Sequence, residues 1–237
     1  MKLKIFALSA ITLCISQISY GAELETQNER YSYAVGLQVG QLLKQQQINT
    51  IDTGAFSLAI KDYLENRDPK LSQEDMHAAM KKHQEEVTQA RAETAKANLK
   101  KGEAFRAQHA KEEGVTVLEN GMQYTVQKAG EGELPKAEDK VSVHYKGTLI
   151  DGTEFDSSHK RGKPAEFKLS GVVPGFREAI TRMKPGAKWQ VVIPPELAYG
   201  ENGAGNRIGP NETLIFDIEY LGLATAEAEK ATVKAAK

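Results

Sequence analysis

The first half of the chain has hydrophobic positions that recur with the 3.6-residue period of an α-helix. The pattern predicts one helix over residues 29–47 and a second that begins at Asp52 or Thr53, either of which can cap a helix N-terminus. The second helix carries apolar side chains at i, i+4, i+7 and i+8, namely Phe56, Ile60, Tyr63 and Leu64. Both helices are therefore predicted to be short and apolar on one face.

A third helix is predicted over residues 71–113, where Ser72 and Asp75 have the spacing of a capping box. Its apolar stripe is thin and consists of Met76, Met80, His83, Val87, Ala90, Thr94 and Ala97. A helix of about 40 residues spans roughly 60 Å at ~1.5 Å per residue, which is longer than a small domain is wide. We interpret this helix as a rigid spacer.

From Gly114 onwards the hydrophobic period becomes two, which is the period of a β-strand. Asn120-Gly121 predicts a two-residue hairpin turn, and Asp151-Gly152 predicts another turn. Strand-like runs lie at residues 115–118, 122–127, 141–145, 189–193 and 214–220, and a helix-like segment lies at 176–183. The predicted fold class is α+β, an antiparallel sheet with one small helix against it, preceded by an all-α region.

Residues 1–22 have the layout of a secretory signal peptide, with two early lysines, an apolar run over 5–18 and small residues at the end. The apolar run is shorter than the about 20 residues that a membrane-spanning helix needs. Cleavage is predicted after Gly21 or Ala22, which removes Cys14, the single cysteine of the chain. The alternative is that this segment stays on the protein as an N-terminal anchor.

The composition changes near residue 113, from rich in Gln, Lys, Glu and Ala to rich in Gly, Pro, Val and Phe. We predict a helical dimerisation domain over 23–70, a connecting helix over 71–113, a sheet domain over 114–223 and a flexible tail over 224–237. A helical domain of about 50 residues buries too little apolar surface to be stable alone, so we expect a homodimer. The alternative is that these helices pack on the sheet domain of the same chain.

The charges do not indicate a strongly basic surface for nucleic acid. The whole chain has a net charge of −1, and without its first 22 residues it has 29 basic and 32 acidic residues, or −3. No Ser-His-Asp set, phosphate-binding glycine loop or metal-ligand cluster can be assembled from the sequence. We therefore predict no metal and no cofactor.

Four segments of the second half resemble the signature segments of the FKBP-type prolyl isomerases. They are VHYKGTLIDGTEFDSS at 143–158, VVPGFREAI at 172–180, IPPELAYG at 193–200 and IGPNETLIFDIEYL at 208–221, in the order and near the spacing of that family. The resemblance covers about residues 115–223. The helical first half is similar to the Mip and FkpA-like bacterial subgroup.

The resemblance implies a five- or six-stranded sheet that curls around the short helix, with an apolar pocket between them. It implies catalytic positions at Tyr145, Phe155, Asp156 and Tyr199. It implies substrate-binding positions at Phe167, Val172, Val173, Phe176, Ile208 and Phe216. Many family members have tryptophan where this chain has Phe176, so we expect a wider pocket with lower activity and lower macrolide affinity.

These residue types suit the rotation of an X-Pro bond, in which no bond is broken. A dry pocket with placed hydrogen-bond donors favours the twisted amide, so Tyr199 is expected to hold a carbonyl and Asp156 to act as an acceptor or dipole. The strand pattern alone favours an ordinary core role for Phe155, Phe167 and Phe216. The resemblance moves them towards the pocket.

The predicted function is therefore that of a secreted, periplasmic peptidyl-prolyl isomerase, with outer-membrane or cell-surface association as an alternative location. The expected partners are unfolded or partly folded proteins with X-Pro bonds, a second copy of this chain bound through the N-terminal helices, and macrolide inhibitors. Neither nucleic acid nor a membrane span is expected. One competing hypothesis is a holdase chaperone with incidental isomerase activity, and another is a protein that binds a small molecule in the same pocket.

Overall fold

The computed structural model describes residues 23–46, 48 and 50–224. The predicted signal peptide over 1–22 and the predicted tail beyond residue 224 lie outside the described residues. The chain divides into two compact units between Pro69 and Lys70. Within the described residues, the first unit contains two helices, and the second contains a long helix, the sheet and a short helix.

The two helices of the first unit each have an N-terminal cap. Helix α1 spans Gln27–Gln45, where Thr26 and Glu29 form a reciprocal capping box. Helix α2 spans Thr53–Leu64, and the Asp52 carboxylate accepts a hydrogen bond from a backbone N–H of the first turn at 2.8 Å. Of the two predicted caps, Asp52 is therefore the one that is used.

The second unit begins with helix α3, which spans Gln73–His109. The Ser72 hydroxyl accepts a hydrogen bond from the Asp75 N–H at 3.1 Å and donates one to the Asp75 carboxylate at 2.7 Å. The helix ends four residues before the predicted end, and the chain then turns at Gly114, which has a positive φ of 80°. Glycine adopts this φ without a steric penalty, so it permits the turn into the first strand.

The rest of the second unit is an antiparallel sheet, which has seven strands within the described residues, one or two more than expected. The strands are β1 Val115–Val117, β2 Gln123–Lys128, β3 Lys140–Leu149, β4 Glu154–Ser157, β5 Ala165–Lys168, β6 Lys188–Ile193 and β7 Leu214–Leu223. Their order is β1-β2-β6-β7-β3-β4, and β5 also pairs with β3. The predicted α+β class is confirmed.

The turn between β1 and β2 differs from the two-residue turn predicted at Asn120-Gly121. Five residues connect the strands, and the Leu118 N–H donates to the Met122 carbonyl at 2.8 Å. Of the two central residues only Gly121 has a positive φ, whereas a two-residue turn of the predicted type needs positive φ at both. The Asn120 side chain instead accepts a hydrogen bond from the Met122 N–H at 3.2 Å.

A short helix, α4, spans Pro174–Thr181 and packs on one face of the sheet, called here the inner face. It begins two residues before the predicted segment because Pro174, with its fixed φ, suits the first helical position. Gly175 allows a close approach, since a Cβ at this position would collide with the Ile193 side chain of β6. The buried core lies between α4 and the inner face, with Ala179, Ile180 and Val191 fully enclosed.

The last turns of α3 pack on the opposite, outer face of the sheet. Gln123 of β2 lies on this face beside Val192 of β6, which is fully buried. The Gln123 side chain is hydrogen-bonded to the His109 ring at 2.7 Å and donates to the Arg106 carbonyl at 2.9 Å. The C-terminal part of α3 is thus fixed to the sheet and is more than the spacer that the sequence indicates.

Candidate active site

A pocket of about 300 Å³ opens where α4 meets the inner face of the sheet. Its walls come from β3, β4, β5, β7, α4 and the segments that precede and follow them. The lining residues are Tyr145, Phe155, Asp156, Phe167, Gly171, Val172, Val173, Phe176, Tyr199 and Phe216. All the site residues proposed from the sequence except Ile208 are therefore brought together in one place.

Five aromatic rings, three of which contact Phe176, form much of the apolar part of the pocket. The Phe176 ring stands edge-on to Tyr145 at 5.9 Å, to Phe167 at 6.1 Å and to Phe216 at 5.3 Å between centroids. Phe155 meets Phe216 edge-on at 5.5 Å. Edge-to-face contacts of this kind hold the rings in fixed orientations, so the pocket is preformed.

Gly147 of β3 makes room for two of these rings. A Cβ at position 147 would lie 2.5 Å from the Phe155 ring and 2.9 Å from the Phe216 ring. Real side chains do not approach this closely, so a residue with a side chain here would displace both rings. Gly147 lies within the first signature segment, although no role was predicted for it from the sequence.

One side of the pocket carries a polar network of Tyr145, Asp156 and Arg161. The Tyr145 hydroxyl donates a hydrogen bond to the Asp156 carboxylate. Arg161 donates to Asp156 at 2.6 Å and to the Tyr145 hydroxyl oxygen at 2.9 Å, and its guanidinium lies 5.5 Å from the centre of the Tyr145 ring. Arg161 was not predicted from the sequence. The only feature that could have indicated it is its place as a basic residue five positions after Asp156.

The network determines the ionisation of these groups. Burial raises the pKa of the Asp156 carboxyl, but hydrogen bonds from Tyr145 and Arg161, together with the Arg161 charge, outweigh it and lower the pKa below its ordinary value. Burial, and then the hydrogen bond to Asp156, raise the pKa of Tyr145. At neutral pH the site therefore holds an ionised carboxylate and a protonated phenol.

The segment 199–213, called here the flap, closes the pocket on another side. Tyr199 at its start lines the pocket and is 39% exposed, and burial followed by the Asp156 charge raises the pKa of its phenol. Among the described residues none is hydrogen-bonded to the Tyr199 hydroxyl, so this group is available to a bound peptide. Ile208 does not line the pocket: its side chain is buried in the core, and its backbone pairs with Ala204 across the flap.

Arg207 of the flap contacts the pocket wall and, like Gly147 and Arg161, was not predicted from the sequence. Its guanidinium donates a hydrogen bond to the Phe155 carbonyl of β4 at 2.9 Å, so it ties the flap to the pocket wall. The chain offered no local pattern that marks this contact, because 52 residues separate the two partners. Only the folded chain brings them together.

The described residues contain neither a group of metal ligands nor a helix that could span a membrane. No group of three or more His, Cys, Asp or Glu side chains in this part of the chain is placed to hold a metal ion. No helix among the described residues is both long enough and apolar enough to cross a membrane.

Two family models match the chain. A model described as FKBP-type peptidyl-prolyl cis-trans isomerase matches residues 131–221. A model described as the domain amino terminal to FKBP-type peptidyl-prolyl isomerase matches residues 28–126. The two matches include the pocket and both units of the fold.

Individual proteins agree with these models. The chain is 43% identical to the FKBP-type 22 kDa peptidyl-prolyl cis-trans isomerase of Escherichia coli, over 83% of this chain and 96% of that protein. It is 38% identical to the peptidyl-prolyl cis-trans isomerase Mip of Coxiella burnetii, over 94% and 99% of the two chains. The crystal structure of FkpA from Escherichia coli matches with a TM-score of 0.60 and 36% identity, over 86% and 100% of the chains. The family models, these relatives and the shared fold agree. The chain therefore belongs to the FKBP-type peptidyl-prolyl cis-trans isomerases, in the group that includes Mip and FkpA.

Proposed function

We propose that the pocket takes the proline ring of a client chain and accelerates X-Pro isomerisation without any covalent step. The aromatic cluster of Tyr145, Phe155, Phe167, Phe176 and Phe216 is the observation that carries this proposal, because it offers a largely apolar pocket of a size suited to a small ring. A proline placed there loses its water. The preceding amide is then left at the polar rim of the pocket.

The reaction needs no covalent step and only a modest preferential stabilisation of the twisted amide. Rotation about the X-Pro bond has a barrier of about 18–20 kcal/mol because the amide loses its resonance, and the uncatalysed step takes about 10–100 s. An acceleration of about 10⁴ needs roughly 5–6 kcal/mol of preferential binding to the twisted amide. Desolvation and one or two hydrogen bonds formed only in the twisted state are of this size.

Two polar groups are proposed to act on the twisted amide. The Tyr199 hydroxyl donates to the carbonyl that precedes proline and, by its placement, favours the orientation that this carbonyl has in the twisted amide. Asp156, held ionised by Tyr145 and Arg161, sets the electrostatic field beside the amide and does not attack it. Val172 and Val173 complete the apolar rim.

Proline-limited refolding of a model protein tests these roles. Tyr199→Phe removes one hydrogen bond and is expected to lower kcat/KM about two- to tenfold. Tyr124→Phe is the matched control, because Tyr124 stacks on Trp189 at 4.3 Å and does not line the pocket. Full activity in both Tyr199→Phe and Asp156→Asn contradicts the proposal.

We propose further that the protein is a homodimer through residues 23–70 with chaperone activity towards unfolded clients. Helix α1 has no buried residue, and the apolar side chains that it and α2 expose include Tyr31, Leu37, Leu42, Tyr63 and Leu64. A surface of this kind suits a partner subunit. In the competing holdase hypothesis, Tyr199→Phe leaves suppression of client aggregation unchanged and isomerase activity adds nothing to it.

We propose, last, that the protein is exported to the periplasm, on the basis of the layout of residues 1–22. Its clients are then exported proteins with X-Pro bonds, and macrolides of the kind that bind this family compete for the pocket. Mass measurement of the protein recovered from a periplasmic fraction tests the export. A mass that retains residues 1–22 contradicts the predicted cleavage after Gly21 or Ala22.

A further inference from the structure

Side chains of α3 donate hydrogen bonds to backbone carbonyls of the flap. The Asn98 amide donates a hydrogen bond to the Pro210 carbonyl at 2.9 Å. The Arg91 guanidinium donates to the Asn202 carbonyl at 2.7 Å and reaches the Glu201 carbonyl at 3.5 Å. These contacts join a helix and a loop that are more than 100 residues apart in sequence. They reach both limbs of the flap, of which the first is residues 199–203 and the second is residues 208–213.

The packing between α3 and the second limb of the flap is close. A Cβ at Gly209 would lie 3.1 Å from the Asn98 amide nitrogen, and a Cβ at Gly102 of α3 would collide with the Thr213 side chain. Thr213, where the flap ends, is fully buried and accepts a hydrogen bond from Arg106. The helix and this limb therefore meet without space for an added methyl group, which limits movement of one against the other.

The spacing of the donors on α3 explains how one helix reaches both limbs. Arg91 and Asn98 are seven residues apart, close to two full turns, so they lie on one face of the helix about 10 Å apart along its axis. The two limbs are also joined to each other, because the Asn211 N–H donates to the Gly200 carbonyl at 2.8 Å. The two ends of the flap are thus held by α3 at two positions, Arg91 and Asn98, which are two helical turns apart.

We propose that Arg91 and Asn98 are positioning residues for catalysis, which act through the flap on Tyr199. Tyr199 directly precedes the Gly200 carbonyl that ties the two limbs, so a shift of the flap base moves its hydroxyl. A hydrogen bond that must form only in the twisted amide is sensitive to displacements of about 1 Å. Loops are usually among the least stable parts of a protein, and contacts with a long helix supply rigidity that a loop lacks. This proposal rests on the proposed role of Tyr199.

The test uses the full chain and the same refolding assay. Asn98→Asp keeps the shape but places an oxygen against the Pro210 carbonyl, and we expect kcat/KM to fall about three- to tenfold, with kcat changing more than KM. Arg91→Met is expected to have a smaller effect of about twofold, and Arg91→Lys, which keeps a donor, to restore activity. Lys96→Met is the matched control, because Lys96 is exposed and lies more than about 100° around α3 from both donors.

Two readouts separate positioning from a general loss of stability. Amide hydrogen exchange over the flap should become faster in Asn98→Asp and Arg91→Met and not in Lys96→Met. In a Tyr199→Phe background, Asn98→Asp should cost less activity than in the wild type, because the group it positions is gone. Because Arg91 is exposed, Arg91→Met leaves the fold intact and decides the question if Asn98→Asp unfolds.

The proposal is overturned if both α3 variants match Lys96→Met in activity and in flap exchange while Tyr199→Phe is impaired. It is also overturned if the loss caused by Asn98→Asp is the same in both Tyr199 backgrounds. A fully active Tyr199→Phe variant instead removes the proposed role of Tyr199, and the positioning role falls with it.

Discussion

At the residue scale, the pocket depends on a position that carries no side chain. Gly147 lies on the inner face of β3 beneath Phe155 and Phe216, and both rings occupy space that a Cβ would need. The position of these rings is set by the backbone as much as by their own packing. The pocket is therefore sensitive to a change that leaves every lining residue in place.

Gly147→Ala is expected to lower both stability and activity. Overpacking of a dense core costs about 1–3 kcal/mol, and displaced rings narrow the pocket. Urea unfolding and proline-limited refolding measure the two effects. Gly171→Ala is the control for stability, because Gly171 also lines the pocket but has open space for an added methyl group and no positive φ. Equal stability of the two variants contradicts this prediction.

The ionisation of the site predicts a broad pH profile. The pKa of Asp156 lies below its ordinary value, so the contribution of its carboxylate is fully present above about pH 4 and is lost as the pH falls through the lowered pKa. The pKa values of Tyr145 and Tyr199 are raised above their ordinary value of 10.0, so both phenols stay protonated up to at least about pH 9.

We therefore expect kcat/KM to be constant between about pH 5 and pH 9 and to decrease below about pH 4. In Asp156→Asn the acid decrease should be absent, because the variant has no carboxyl to protonate at this position. Isomerase rates across the pH range test this, with circular dichroism at each pH to identify unfolding. A decrease already centred near about pH 6 in the wild type contradicts the assignment.

At the element scale, α3 is joined to the outer face of the sheet by a buried polar contact. Gln123 and His109 are 4% and 5% exposed, and Gln123 satisfies both the His109 ring and the Arg106 carbonyl. Buried polar groups that lose their partners keep the cost of their desolvation. This contact also fixes the turns of α3 that follow the flap-positioning residues.

Gln123→Met keeps the size of the side chain but leaves the His109 ring and the Arg106 carbonyl without their partner. We expect the free energy of unfolding to decrease by about 1–3 kcal/mol. Gln127→Met is the matched control, because Gln127 lies on the same strand and is exposed. Denaturant unfolding of both variants provides the comparison, and equal midpoints contradict the structural role of Gln123.

At the scale of the whole molecule, the two units differ in how much of their apolar surface is buried. The second unit contains the enclosed core, whereas α1 in the first unit has no buried residue. Tyr31, Val35 and Leu42 lie on one face of α1 and are 65%, 39% and 52% exposed. Apolar surface of this extent on a helix is the physical basis of the proposed dimer.

Leu42→Arg is expected to weaken the dimer, because it places a charge in the apolar face of α1. Its neighbour Gln41 is exposed and polar, so Gln41→Arg adds the same charge on a different side of the helix and serves as the control. Light scattering over a concentration series measures the mass of each variant. A wild-type protein of monomer mass, or equal dimerisation of the two variants, contradicts the proposal.

Sequence patterns were enough to predict the class of fold, and the family resemblance was enough to predict most of the residues that line the pocket. Hydrophobic period separates helices from strands because each secondary structure repeats its side-chain direction at a fixed interval, and caps such as Ser72 and Asp52 mark helix starts through local hydrogen bonds. The aromatic residues of the pocket lie in long segments whose resemblance to a family was specific. Hydrophobic periods, caps and motif segments each depend on residues that are near each other in the chain.

The contacts between distant segments depend on the tertiary structure and could not be predicted from the sequence. The place of Ile208 in the core, the tie from Arg207 to Phe155, and the contact of Asn98 with Pro210 join residues that no local pattern relates. The β1–β2 turn also differs from its dipeptide signal, because the register of the strands leaves five residues between them. Contacts across long sequence separations depend on how whole elements pack, and that packing is what gives the flap its position over the site.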